Sequence, residues 1–393
     1  MKWVLLPLAL FIGLAGAWLG VKGFSGEFLY YEGQKAFQAS DTDRAREKWS
    51  AATEAEPDRA EFYRALGNAR HQWFLLHPGS RGAAQRGEKD FSKAAALDPW
   101  YPYYWADWGL LSQTMEQNAV APAQSSLDGF KKALAIDPRN SYFLELMARD
   151  LLARRRFREA DPYLAHLFRQ YPDKVPVLAA LRIQQEPDFE GFLALLDQNP
   201  EGLYQYALWL IAREKKDAAV KALSQAQAQA GDNLTLKLEA AFGMVAAGQP
   251  RAATDRLRAL SEKDPTNPVI RWYLAEALEK SFRCDLAAPI YRELLADGGC
   301  VPYHGLAKCA LAQNDLKQAQ FYYFRVVKCN GLSRFYRYQT ALEMAWVMDN
   351  AKDARAQLSA LREAEDLSDN PGPIRAQIRK LEKKMETSGQ AVP

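Results

Sequence analysis

A recurring pattern of small and large residues restricts what this chain can fold into more than any other feature. Gly33, Ala45, Trp49, Ala52 and Pro57 follow one another at intervals of 12, 4, 3 and 5 residues. Spacings of three and four put side chains on one face of a helix. Small residues let two antiparallel helices approach closely, and large apolar neighbours fill the space around them. The proline stops the second helix of the pair. The pattern then returns. Tyr63, Leu66 and Gly67 open a second unit that ends with Phe91, Ala94 and Pro99. Trp105, Trp108 and Gly109 open a third, ending with Phe130, Ala133 and Pro138. Leu144, Met147 and Ala148 begin a fourth that closes at Pro172. Ala207, Ala219, Leu223 and Ala226 mark a degenerate unit, and later units carry Ala241, Ala275, Ala307 and Leu342 at the same place. The spacing predicts about nine helical pairs, with a terminal helix from Ile374 to roughly Met385 capping the array.

With Gly33 counted as position 8, Ala45 falls at 20, Trp49 at 24, Ala52 at 27 and Pro57 at 32. In this register the chain resembles the tetratricopeptide repeat (TPR) family over nearly all of residues 26–365. The resemblance implies an all-α fold, a right-handed α-solenoid of about nine TPR-like helical hairpins. It sets out N-terminal repeats at 26–174, a degenerate region at 175–233, C-terminal repeats at 234–365, and a capping helix and tail at 366–393. Residues 177–199 depart from the period and read as one shortened hairpin. The second unit carries 8 extra residues and the third 5. A lengthened turn around His77-Pro-Gly-Ser-Arg-Gly82 is expected in the second.

Residues 1–25 form a separate element. From Trp3 to Val21 there are 19 residues without a charge, flanked by Lys2 and Lys22. A helix needs about 20 mostly apolar residues to span a bilayer, so residues 3–21 predict a retained membrane anchor. A cleavable signal peptide is the competing reading, with Ala15-Gly16-Ala17 fitting a cleavage site. The short N-terminus with Lys2 favours translocation of the body, which gives a single-pass inner-membrane protein with its repeats in the periplasm.

Lys and Arg number 51 against 48 Asp and Glu, a net charge of +3, which argues against a nucleic-acid binder held by a general basic field. The four histidines, His71, His77, His166 and His304, sit in no metal-ligand motif, and no nucleophile elbow or kinase signature occurs. No catalytic role set, no metal site and no cofactor is therefore expected. The basic run Arg154-Arg155-Arg156 reads as a solvated tip.

In this family the first helices of the hairpins line a concave face. Here the resemblance places Tyr30, Gln34, Tyr103, Tyr142 and Arg149 on it in the early units. Trp272, Glu276, Lys308 and Trp346 take the same places in the late ones. Such an aromatic face of mixed charge suits extended or helical segments of a protein partner, and stacking on sugars is a second use. In the same register Cys300 is position 1 and Cys329 position 30 of one unit, at ends that an antiparallel hairpin brings together. Cys284 and Cys309 fall elsewhere. A 300–329 bridge would fit an oxidising compartment, while four small buried apolar side chains are the other reading. The function expected is a membrane-anchored scaffold or adaptor for assembly of a bacterial cell-envelope complex. The alternative is an accessory protein for polymerisation or export of envelope polysaccharide. It rests on a local similarity of residues 91–109 to repeat tails of membrane polysaccharide polymerases and O-antigen ligases.

Overall fold

The computed structural model describes residues 25–387 apart from 186, 187 and 297. No strand occurs among the described residues. The apolar segment 3–21 lies outside them, and no described helix is long and apolar enough to cross a membrane. The chain divides into an N-terminal unit ending at Leu196 and a C-terminal unit beginning at Asp197.

The N-terminal unit holds four regular antiparallel pairs. They are α1 (25–38) with α2 (Thr42–Ala55), α3 (Ala60–Leu76) with α4 (Arg81–Leu97), α5 (Pro102–Gln117) with α6 (Ser126–Ile136), and α7 (Ser141–Ala153) with α8 (Phe157–Gln170). A shortened pair follows, α9 (Val175–Gln185) with α10 (Phe189–Leu195). The small residue of each first helix meets the large residue of its partner. A Cβ at Gly33 would stand 2.5 Å from Trp49 Nε1, so only glycine fits there. The indole beneath it is fully used, because Trp49 Nε1 donates to the Tyr30 carbonyl at 3.0 Å. Ala45 and Ala52 are completely buried on the opposite helix.

The lengthened turn expected at residues 77–82 is corrected by the structure. The extra residues extend α3 and α4 to 17 residues each, leaving a turn of only 77–80. The cause is local: Trp73 and Phe74 continue the apolar stripe of α3, Phe74 is fully buried, and the His77 ring stacks on Trp73. In the third pair the extra length does go into a connection, residues 118–125. Arg154 is a second correction. It turns inward, pairing with Asp150 at 3.2 Å and with Glu116, and reaching Ser126 Oγ at 2.7 Å. A nearly buried Asp150 carboxylate is costly without a partner, and the Arg154 guanidinium supplies one.

The C-terminal unit holds five regular pairs. They are α11 (Pro200–Ile211) with α12 (Lys216–Gln229), α13 (Leu234–Ala246) with α14 (Pro250–Lys263), α15 (Pro268–Lys280) with α16 (Cys284–Leu295), α17 (Pro302–Ala312) with α18 (Leu316–Val327), and α19 (Arg334–Asn350) with α20 (Ala354–Leu367). Asn199, Asn233 and Asn267 cap three of the first helices by accepting from backbone N–H groups in the first turn. The last helix, α21 (Gly372–Thr387), buries Ile374, Ile378, Leu381 and Met385 and turns its charged side outward.

Eight of the nine regular pairs among the described residues turn in one way, the exception being α3 with α4. One residue takes a left-handed φ between 55° and 80°, and the following N–H reaches back to a carbonyl five residues earlier. Asp41 to Ala36, Arg156 to Leu151, Arg283 to Leu278 and Asp353 to Met348 are examples, each at 2.9 Å. This bond satisfies a carbonyl left open at the helix end. Of the eight left-handed residues only Gly248 is a glycine, and Phe282 is the bulkiest.

Candidate functional site: the first-helix faces

In the N-terminal unit, α1, α3 and the start of α5 line an open cavity of about 480 Å³. Tyr30 and Gln34 of α1 form one wall, Arg64 and Asn68 of α3 another, and Tyr101 and Tyr104 close it. Tyr104 is buried, and burial pushes its phenol up to about 12. The row of rings continues along α5 and α7. Tyr101 lies 5.4 Å from Tyr103, and Tyr103 stacks with Tyr142 at 6.3 Å. Tyr101 is 38% exposed and Tyr142 42%, so the rings form part of the surface as well as the packing. Tyr103 also meets the buried Phe143 edge-on at 5.0 Å, which fixes its orientation.

Charge on this face is spent internally. Arg64 Nε donates to Asp107 Oδ2 at 2.6 Å, bridging α3 to α5, and Asn68 Nδ2 donates to the same oxygen at 3.4 Å. Burial pushes the Asp107 carboxyl up, against the pull of Arg64. The Arg64 guanidinium lies over the rings of Tyr101 and Tyr103 at 5.6 and 5.4 Å. Further along, His71 Nε2 and Thr114 Oγ1 share a hydrogen bond of 2.8 Å, and burial lowers His71 to about 4. Gln113 Nε2 donates to Asp150 Oδ1 at 2.9 Å, joining α5 to α7. Arg149 stands apart from the cavity and pairs with Glu145 at 2.7 Å, which also takes Lys174 at 3.1 Å.

In the C-terminal unit the same register carries different chemistry. Tyr291 Oη donates to Glu279 Oε2, and Tyr323 Oη to Glu343 Oε1, each at 3.1 Å. His304 Nε2 and Glu343 Oε2 are 2.8 Å apart, and Tyr336 Oη meets His304 Nδ1 at 2.9 Å. Burial pushes the Glu343 carboxyl up, but hydrogen bonding and charge from His304, with Lys308 adding, hold it below its ordinary range. Trp272 meets Tyr291 edge-on at 5.6 Å. Glu276 is half-buried, and burial raises its carboxyl while Lys308 draws it down. Trp346 is 68% exposed and makes no ring contact among the described residues.

Cys300 and Cys329 are joined by a disulfide, with Cα atoms 6.3 Å apart. The bond ties the start of α17 to the end of α18, while Cys284 and Cys309 are free and buried.

The structure thus gathers Tyr30, Gln34, Tyr103 and Tyr142 into one face, and Trp272, Glu276 and Lys308 into another. Arg149 and Trp346 lie outside both clusters. Sequence reasoning passed over Tyr101, Tyr104 and Asp107. The available signal for Asp107 was a carboxylate set between Trp105 and Trp108, where burial demands a cation.

No family model and no curated protein matches the chain. Among solved structures, yeast Tom70 is similar at 14% identity and a TM-score of 0.38, covering 93% of this chain and 97% of that one. The P58(IPK) TPR domain is similar at 17% identity and a TM-score of 0.24, covering 93% and 99%. A human IFIT1 dimer with PPP-AAAA is similar at 14% identity and a TM-score of 0.35, covering 92% and 82%. What marks the fold as TPR-like is internal: consecutive antiparallel pairs with glycine or alanine of one helix against a large residue of the next.

Proposed function

We propose that this chain is a protein-interaction scaffold whose N-terminal unit receives a segment of a partner protein on its first-helix face. The observation that carries this reading is the cavity between α1, α3 and α5, continued by the half-exposed rings of Tyr101, Tyr103 and Tyr142. Rings held rigidly at a surface give contact area at little entropic cost, and a few such residues dominate binding energy. The partner is protein and not nucleic acid, in keeping with a net charge of only +3. The scaffold itself carries no reaction and needs no cofactor.

The scaffold is tethered to the inner membrane through residues 3–21, with its repeats in the periplasm, where it helps to assemble an envelope complex. The uncharged run supports the tether, and the Cys300–Cys329 disulfide supports an oxidising compartment. Role in envelope polysaccharide polymerisation or export is the second reading, favoured by the same stacked tyrosines. A photo-crosslinking amino acid at Gln34, compared with one at the exposed Lys317 of α18, tests the face. One defined protein adduct from position 34 and none from 317 is expected, and the reverse would refute the assignment. Phosphatase and green fluorescent protein fusions at Gln390 test the topology, with an active cytoplasmic reporter as the refuting result.

A further inference from the structure

We infer that Cys284 and Cys309 are a second oxidation site, which closes to a disulfide joining two neighbouring helix pairs. The inference rests on reading the repeats as lying in an oxidising compartment. The first ground is distribution. All four cysteines lie between residues 284 and 329, in the consecutive pairs α15–α16 and α17–α18 and the connection between them. Four cysteines can be joined in three ways, and the Cys300–Cys329 bridge leaves only one of them.

The second ground is geometry. α16 and α17 pack together and are joined by residues 296–301 alone, so the start of α16 comes beside the far end of α17. Cys284 is the first residue of α16, and Cys309 lies in the last turn of α17. There the two thiols are in hydrogen-bond contact with each other. Cysteines that already meet can be bridged without the backbone movement that distant ones demand. Both are buried, Cys284 at 5% exposure and Cys309 at 2%. A thiolate metal site needs further ligands, and among the described residues no group of three stands together.

The third ground is chemistry. The thiolate of one cysteine attacks a sulfur of an external disulfide, by class a glutathione disulfide or an oxidised dithiol protein, and releases one thiol. The thiolate of the other then attacks the mixed disulfide and releases the second thiol. The pair gives up two protons and two electrons, and the external disulfide takes up both. The folded protein is closed to this sequence, because burial pushes both thiols up, with Glu279 adding, and only a thiolate attacks. The bridge therefore forms while α16 and α17 are still assembling, and burial then shields it. Cys300 and Cys329 are only half-buried, so theirs is the accessible bridge. The two also hold different things. Cys300–Cys329 closes one helix pair on itself, whereas Cys284–Cys309 ties that pair to the one before it.

The test is peptide mapping without reductant on the full-length protein, with free thiols alkylated at lysis. Trypsin sets the four cysteines in separate peptides, 284–292, 293–308, 309–317 and 329–334. Peptide 284–292 is expected linked to 309–317, and 293–308 to 329–334. Added reductant should open the Cys300–Cys329 link in the native protein about tenfold faster than the Cys284–Cys309 link. A linked Cys300–Cys329 beside alkylated Cys284 and Cys309 would overturn the inference and leave the compartment reading standing. Four alkylated thiols would overturn the compartment reading, and refolding the reduced chain in glutathione buffer then decides the pairing by itself. A Cys284–Cys309 link there sustains the site, and free Cys284 and Cys309 overturn it. Equal rates of reduction would overturn the shielded bridge.

Discussion

In the N-terminal unit neighbouring first helices are tied together largely through buried aspartates; in the C-terminal unit they are tied by tyrosine, histidine and glutamate. Arg64–Asp107 crosses from α3 to α5, and Gln113–Asp150 from α5 to α7. The corresponding place between α17 and α19 holds His304 with Glu343 and Tyr336. The repeat fixes where a polar group faces its neighbour. It leaves open which polar group stands there, and the energetic consequences differ.

The largest effect should come from breaking the charge link. Asp107→Ala leaves Arg64 without its partner inside a ring-lined wall, and about 4 kcal/mol of local stability should be lost. Hydrogen exchange should show the loss in α3 and α5 alone. Glu343→Gln is the counterpart. It keeps an acceptor for Tyr323 and should cost about 1 kcal/mol. Equal costs would mean that the two linkages are energetically alike.

Reduction of the Cys300–Cys329 bridge should cost about 3 kcal/mol, since it frees a loop of 29 residues. Faster exchange is expected in α17 and α18 and not in the N-terminal unit. Acid should separate the units in the other direction. Burial holds His71 neutral with its pKa down at about 4, against 6.5 when free. The unfolded chain therefore takes up this proton first as pH falls. The stabilising contribution of His71 is complete above pH 6.5 and is lost between 6.5 and about 4. His71→Gln can keep the bond to Thr114 and should remove about 2 kcal/mol of acid sensitivity from α3, measured by exchange at pH 7 and 4.5. A wild-type acid response in that variant would assign the sensitivity to other groups. The smallest effect concerns a turn. Phe282 has φ 59° and is 88% exposed, so Phe282→Gly should gain about 1 kcal/mol at the α15–α16 junction.

The helix pairs were legible in the sequence because packing leaves a record: Gly33, Trp49 and Ala52 must be small, large and small in that order. The position of Cys300 and Cys329 followed from the same register. Helix length in the second pair was not legible, because Gly79, Gly82 and Pro78 suggest a loop, while the deciding fact is burial of Phe74 by residues distant in sequence. The site was legible in part. Tyr103 and Tyr142 sit at register positions, whereas Tyr101 lies in a connection that the register does not describe. Asp107 and Arg64 are 43 residues apart, and nothing local in the chain announces that they meet.

The shared turn has a consequence for how such an array changes length. Its defining bond joins backbone to backbone, and the left-handed position accepts serine, alanine, arginine, glutamate, glycine, phenylalanine, asparagine and lysine. Side chains there are under almost no compositional constraint. A duplicated or deleted stretch that begins and ends at this point joins one compliant turn to another, whatever residues it brings. Recombination can therefore add or remove whole hairpins without needing a new loop to be found. The α3–α4 pair, which gives Arg64 and Asn68 to the cavity wall, lacks this joint and is, among the regular pairs of the described residues, the one least open to such exchange.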